Sequence, residues 1–218
     1  MFRLILALAA LASASAFQMP TSVRLSRSIL RAVDSNEDLT FPPLDGSKSR
    51  IGIIRTRWNE NYVSSLVDGI KESLKECGVE DSNVFVTEVP GAYELPYAAR
   101  LLAFSGTVDS IVAVGTLIKG DTQHFEYIAD ATSNGLMSVG LQTNVPVVFG
   151  VLTCNTEEQV KKRAIGKGNH GQGWGKTAVE MALLRADALG GGKPQTMGFG
   201  ELMDVGGGSS PTKPRIGF

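Results

Sequence analysis

The chain has 218 residues, 43% of them hydrophobic, enough to bury one substantial core, and a single globular domain is the first expectation. Its formal charge of −1 conceals an asymmetry: residues 1–33 hold Arg3, Arg24, Arg27 and Arg31 and no acid, so the remainder sets 17 basic residues against 22 acidic, a net of −5, which excludes a basic face for nucleic acid. Cys77 and Cys154 lie far apart with no metal-type spacing, which argues against a disulfide framework or a zinc site and for buried free thiols.

Residues 1–16 carry one cation, Arg3, then an apolar stretch and a small-residue end, the anatomy of a secretory signal too short to span a bilayer as a helix. Residues 17–33 are rich in Arg and Ser and free of acids, which is transit-peptide composition. The junction Ala14-Ser15-Ala16-Phe17 resembles the two-part plastid presequence of diatoms and related algae. Import into a plastid stroma is the expectation, with plain secretion as the alternative. Residues 34–49 are polar, contain Pro42, Pro43 and Gly46, and read as a lead-in arm.

Residues 50–56 (RIGIIRT) form the first expected strand, closed by Trp58 and Asn59. Val63, Leu66, Val67, Ile70, Leu74 and Cys77 then fall on one helical face, stopped by Gly78. Residues 83–89 are β-branched and read as the second strand. The run PGAYE, residues 90–94, turns into a helix reaching about Phe104, with Pro96 tolerated in its first turn.

A third strand is expected over residues 110–114, a turn over 115–122 and a helix from His124 to about Gln142. The fourth strand reads as 145–152 (VPVVFGVL), followed by a short charged helix over 156–164, a Gly-rich link over 166–173 and a last helix over 174–189. Residues 190–218, crowded with Gly, Ser and Lys-Pro steps, read as a flexible tail.

Four repeats of strand then helix, with strands apolar on both faces, imply a parallel sheet sandwiched by helices. Such sheets bind ligands at the carboxyl edge of their strands. That edge collects Trp58 and Asn59, the 90–94 turn, and the run GTLIKGDTQHFEY at 115–127. In that run a small-residue turn feeds a helix start, where free N–H groups and the helix dipole favour phosphate. Lys119, Thr122 and His124 add a cation, a hydroxyl and an imidazole able to move protons beside a bound phosphate. The bland alternative is a strand-turn-helix corner with an exposed lysine and a surface histidine.

Several runs together carry a family resemblance: Arg57-Trp58-Asn59, PGAYELP at 90–96, the 115–127 stretch, VVFGVLT at 147–153, Gln159, Arg163-Ala164, NHG at 169–171, Trp174-Gly175 and AVEM at 178–181. Residues 50–184 resemble the lumazine synthase family. The resemblance implies a three-layer α/β sandwich, a four-stranded parallel sheet flanked by helices in flavodoxin-like strand order. It implies condensation of 5-amino-6-ribitylaminouracil with 3,4-dihydroxy-2-butanone 4-phosphate, giving 6,7-dimethyl-8-ribityllumazine and phosphate, the penultimate step of riboflavin synthesis. No metal or organic cofactor is implied.

By the same resemblance, Trp58 stacks on the pyrimidine, where a large flat ring adds on the order of 1 kcal/mol beyond its buried area; otherwise it would anchor the core. Asn59, Ala92, Tyr93 and Glu94 match positions that hold the uracil and ribityl chain, and Glu94 would otherwise be a partner for the helix dipole. Thr116, Leu117 and Ile118 line the pyrimidine edge through their backbones. Gly120, Asp121 and Thr122 match the phosphate turn, Lys119 stands for a frequent arginine there, and Arg163 matches an arginine whose planar fork grips phosphate. His124 matches the proton-transfer histidine.

Phe149, Arg163 and His170 are expected to reach the cleft from a neighbouring subunit, because family sites lie between adjacent chains of a pentamer. His170 replaces a lysine common in bacterial members, and the NHG-x-x-WG pattern of 169–175 looks like the fungal branch. Pentamer and sixty-subunit shell are both open, and the fungal-like link over 166–173 leans toward the pentamer. One rival reading makes Lys119 a Schiff-base nucleophile. Another makes the chain a flavin or lumazine carrier on the same fold, against which the intact His124 and Arg163 argue.

Overall fold

The structure is a computed structural model and describes residues 39–189. The expected presequence over 1–33, the first part of the arm and the expected tail over 190–218 lie outside the described residues.

Four strands, β1 (Ile51–Thr56), β2 (Val84–Val89), β3 (Ser110–Ile118) and β4 (Val147–Cys154), form one parallel sheet in the order β2-β1-β3-β4. Five helices connect and follow them: α1 (Glu60–Glu76), α2 (Leu95–Phe104), α3 (His124–Thr143), α4 (Glu157–Ala164) and α5 (Gly171–Leu189). The two-residue period of the strands divides the core. Ile51, Ile53, Val112, Val114, Val148 and Leu152 face α1, α4 and α5, while Ile54, Ile111, Ala113 and Val151 face α2 and α3. Helices thus cover both faces, and each fully buried Ile or Leu contributes about 1.5–3 kcal/mol.

Several boundaries differ from the sequence expectation. Strand β3 does not stop at Val114, because its ladder with β4 continues through Gly115↔Val151 to Ile118↔Cys154. This draws half of the expected 115–122 turn into the sheet. Strand β4 correspondingly runs to Cys154 instead of ending at Leu152. Helix α1 begins at Glu60, ahead of the first buried position, Val63. Its end matches the sequence reading, with Gly78 in the left-handed region at φ +81.

The Gly-rich link over 166–173 is a short 3-10 turn, Gly166–Gly168, followed by the first residues of α5. The glycines serve close packing there. A Cβ on Gly171 would lie 2.1 Å from the Leu66 carbonyl oxygen, and one on Gly175 would lie 2.0 Å from Ser73 Oγ. Only hydrogen side chains let α5 approach α1 so closely.

Strand β2 also departs from the two-faced apolar reading. It is an edge strand with Phe85 40% and Val86 44% exposed, and since successive side chains point to opposite faces, this edge presents apolar surface on both. The arm beyond Leu39 is docked: Leu44 packs on the α1/α5 side of the core and Gly46 N–H donates to the Cys77 carbonyl at 2.7 Å. At the amino edge of the sheet, Arg50 and Asp109 tie β1 to the start of β3 through a side-chain pair at 2.9 Å.

Candidate functional site

At the carboxyl edge, the segments after β1, β2 and β3 converge on a cleft of about 670 Å3, the size of a small-ligand site. Its position follows from strand order. Beyond the carboxyl ends of β1 and β3, two neighbouring strands, the chain leaves toward α1 and α3, so loops distant in sequence face one another.

The β1 end contributes Trp58 and Asn59. Asn59 adopts the left-handed conformation at φ 59, ψ 41, and its Nδ2 donates to the Thr116 carbonyl oxygen at 2.9 Å. Trp58, at 73% exposed, is no core anchor; its indole stands in the cleft wall. Beside it, with Gly91 against the indole, Gly91, Ala92, Tyr93 and Glu94 form a short turn into α2. Glu94 Oε2 accepts from the Gly91 N–H at 2.9 Å, which caps the turn. The Ala92 carbonyl accepts from Thr132 Oγ1 at 3.1 Å, fastening this wall to α3.

The floor is Thr116, Leu117 and Ile118 at the end of β3. Beyond them Gly120 and Thr122 lead to His124, the first residue of α3. Thr122 Oγ1 accepts from the His124 N–H at 3.4 Å. The helix start therefore presents its positive end, a hydroxyl and an imidazole to the same space.

Of the residues singled out in sequence, Trp58, Asn59, Ala92, Tyr93, Glu94, Thr116, Leu117, Ile118, Gly120, Thr122 and His124 line this cleft. Lys119 and Asp121 do not. Lys119 is ion-paired with Glu126 at 2.5 Å, and the hydrogen bond from Lys119 holds the Glu126 carboxyl below its ordinary value. Asp121 is exposed on the turn. Thr56, Gly91, Phe125 and Ile128 also line the cleft and were not singled out as ligands. Ile128 lies one helical turn after His124, a spacing that points it to the same side.

Arg163 and His170 line a separate recess of about 280 Å3, together with Gln159, Trp174, Thr153 and Cys154. Arg163 NH1 donates to the Gln159 carbonyl at 3.1 Å, and the His170 ring meets Trp174 edge to face at 6.1 Å. Burial pushes the Cys154 and Cys77 thiols up, Arg163 partly opposing this at Cys154. Phe149, 40% exposed on β4, lines neither cavity. Within one chain, then, the imidazole and the arginine belong to different cavities.

Residues 48–186 match the model of the 6,7-dimethyl-8-ribityllumazine synthase family. The chain belongs to that family. It is 42% identical over 182 residues to the 6,7-dimethyl-8-ribityllumazine synthase of Pyricularia oryzae, covering 66% of this chain and 91% of the relative. It is 45% identical over 143 residues to the enzyme of that name from Schizosaccharomyces pombe, covering 64% and 90%. For the one from Edwardsiella ictaluri the identity is 49% over 136 residues, covering 62% and 87%.

As a member of the lumazine synthase family, the chain is an enzyme that acts on small molecules, and its cleft can be described in those terms. An exposed indole offers a stacking surface, the β3 end offers backbone polar groups, and the α3 start offers an anion cradle beside a proton-transfer group. Among the described residues no group of three or more His, Cys, Asp and Glu side chains could hold a metal ion. No described helix is long and apolar enough to cross a membrane.

Proposed function

We propose that this chain condenses 5-amino-6-ribitylaminouracil with 3,4-dihydroxy-2-butanone 4-phosphate to 6,7-dimethyl-8-ribityllumazine and inorganic phosphate, the penultimate step of riboflavin synthesis. The observation that carries the reading is the single cleft in which the Trp58 indole, the His124 imidazole and the 120–122 turn meet.

In this reading the pyrimidine lies on Trp58 and its edge groups pair with backbone at Thr116, Leu117 and Ile118. The ribityl chain runs toward Asn59, Ala92, Tyr93 and Glu94. The capping bond of Glu94 engages Oε2, so Oε1 is the oxygen that accepts from sugar hydroxyls. The phosphate of the second substrate sits at the α3 start, over the turn of Gly120, Asp121 and Thr122, where the helix N-terminus supplies the positive end, while Lys119 is held by Glu126.

The 5-amino nitrogen attacks the ketone carbon, and loss of water leaves a Schiff base. Phosphate then departs as a proton is removed from the carbon skeleton, and ring closure expels a second water. His124 takes and returns the protons of these steps. Holding two substrates in one cleft supplies much of the acceleration, since a bimolecular encounter becomes an intramolecular one. The Schiff-base alternative at Lys119 is disfavoured because that amine is turned to Glu126 and does not line the cleft.

Arg163, His170 and Phe149 complete the site from an adjacent chain of a homopentamer. Two observations support this. The recess of Arg163 and His170 is distinct from the cleft within one chain, and α2 and α3 expose Tyr97, Leu101, Phe104, Tyr127, Met137 and Leu141, more apolar surface than an isolated subunit normally leaves uncovered. The link over 166–173, which resembles that of the fungal branch, leans toward the pentamer over a larger shell.

The composition of residues 1–33 supports delivery to a plastid through a two-part presequence. A fluorescent fusion to residues 1–33 that reaches the medium instead of the plastid would overturn that localisation. The activity is tested by mixing the purified chain with both substrates and no added metal. Lumazine absorbance and phosphate should rise together; neither rising removes the assignment.

A further inference from the structure

Asn169 stands between Arg163 and Trp174 in sequence, lines neither cavity, and sits in the loop that joins α4 to α5. Its Nδ2 donates to the Ser65 carbonyl at 2.7 Å and lies 3.4 Å from Ser65 Oγ, both on α1. Its Oδ1 accepts from the Gly171 N–H at 2.8 Å, at the start of α5. Ser65 Oγ in turn donates to the Ala164 carbonyl at 2.6 Å, the last residue of α4. One carboxamide and one hydroxyl therefore bind the end of α4, the start of α5 and the middle of α1.

The loop between them is held at both ends. Asn169 N–H donates to the Gly166 carbonyl at 3.1 Å, and His170 N–H donates to the Arg163 carbonyl at 2.9 Å. That second bond joins the backbone of Arg163, proposed to grip phosphate, to that of His170, proposed to reach the same cleft. Room for the carboxamide exists only because α1 has Gly69 there: a Cβ at Gly69 would lie 2.8 to 2.9 Å from the Oδ1, Cγ and Nδ2 atoms of Asn169.

From this we infer that Asn169 is a positioning residue, which sets the spacing and direction of Arg163 and His170 and so the affinity for the phosphate-bearing substrate. The inference rests on the proposed role of Arg163 in phosphate binding. A planar arginine fork rewards correct orientation, because both N–H bonds to a phosphate form only in one geometry. Asn169 never touches the ligand. It acts through the turn that carries the two that do.

Asn169→Asp keeps the acceptor toward Gly171 and replaces the donor toward Ser65 with an oxygen that its carbonyl repels. Gly69→Ala leaves Asn169 intact and pushes its carboxamide aside, while raising helix propensity in α1. In the full-length protein, both variants should raise the KM for the phosphate-bearing substrate, and the inhibition constant of inorganic phosphate, on the order of 10-fold or more. The KM for the pyrimidine substrate should not move.

Unchanged phosphate parameters in both variants overturn the proposal. So does an equal weakening of both substrates together with a lower melting temperature, which marks a merely structural role. Arg163→Ala is measured alongside. If it also leaves the phosphate constants untouched, the reading of Arg163 as a phosphate ligand fails; if it raises them and the Asn169 and Gly69 variants do not, only the positioning role falls.

Discussion

The Asn59 side chain donates to the Thr116 carbonyl at 2.9 Å while its own backbone sits at φ 59. This links the loop after β1, which carries Trp58, to the strand end that floors the cleft. Asn tolerates this conformation far better than a residue without a short polar side chain. Asn59→Gly should retain the backbone and lose the bond, at a cost of about 1 kcal/mol. Asn59→Ala should add left-handed strain of roughly 1 kcal/mol. Urea unfolding of the two variants should rank them in that order, and both should bind the pyrimidine substrate more weakly.

His124 is the imidazole at the proposed reacting centre, so His124→Ala should lower kcat about 10²-fold or more and leave the melting temperature nearly unchanged, because the side chain is exposed. Arg163→Ala should reduce turnover further, toward the uncatalysed rate. Steady-state kinetics with each substrate varied separates the two effects. Full activity in both variants is incompatible with the proposed site.

Gly175→Ala, like Gly171→Ala, should be a damaging single methyl in the helix layer. The added carbon would lie 2.0 Å from Ser73 Oγ and 2.8 Å from the Ile70 carbonyl oxygen. Overpacking of this kind costs about 1–3 kcal/mol, and in a domain of this size each kcal/mol lowers the melting temperature by about 2–4 °C. Gly120→Ala meets nothing within 4 Å and should leave stability close to the parent. Calorimetry of the pair provides the contrast.

Acid stability should depend on Asp109. Burial raises its carboxyl, and hydrogen bonds from the Arg50 side chain and backbone, with the charges of Arg50 and Arg185, more than offset that burial and leave it below its ordinary value. A carboxyl lowered in the native state stabilises the fold above the unfolded value near pH ~4. That stabilisation is lost as pH falls through the native value. Asp109→Asn should therefore cost about 1 kcal/mol at neutral pH, given the partly exposed Arg50, and its unfolding should be less sensitive to pH below about 4. Chemical denaturation at a series of pH values reads the difference.

Much of this architecture was legible because its signals are periodic. The α1 stripe from Val63 to Leu74 is buried as its spacing requires, and the order of strands and helices follows from their alternation. The boundaries that slipped were those set by partners distant in sequence. Gly115 reads as a turn residue, yet its pairing with Val151 keeps it in the sheet, and Gly171 reads as a linker until the Leu66 carbonyl is seen to crowd its Cα. The cleft was legible where its members sit at strand ends, as Trp58 and Thr122 do. Lys119 was not, because its pairing with Glu126 depends on side-chain geometry that spacing does not reveal. Thr56 and Phe125 were missed for a related reason, since a residue flanking a recognised run shows no pattern of its own.

Because the His124 cleft and the Arg163 recess are separate within a chain, the proposed pentamer, in which the catalytic unit is divided between neighbours, would make two impaired variants complementary. Unfolded together and reassembled, His124→Ala and Arg163→Ala chains would then form mixed rings in which some junctions pair an intact imidazole with an intact guanidinium. Those junctions would turn over faster than any in rings of either variant alone.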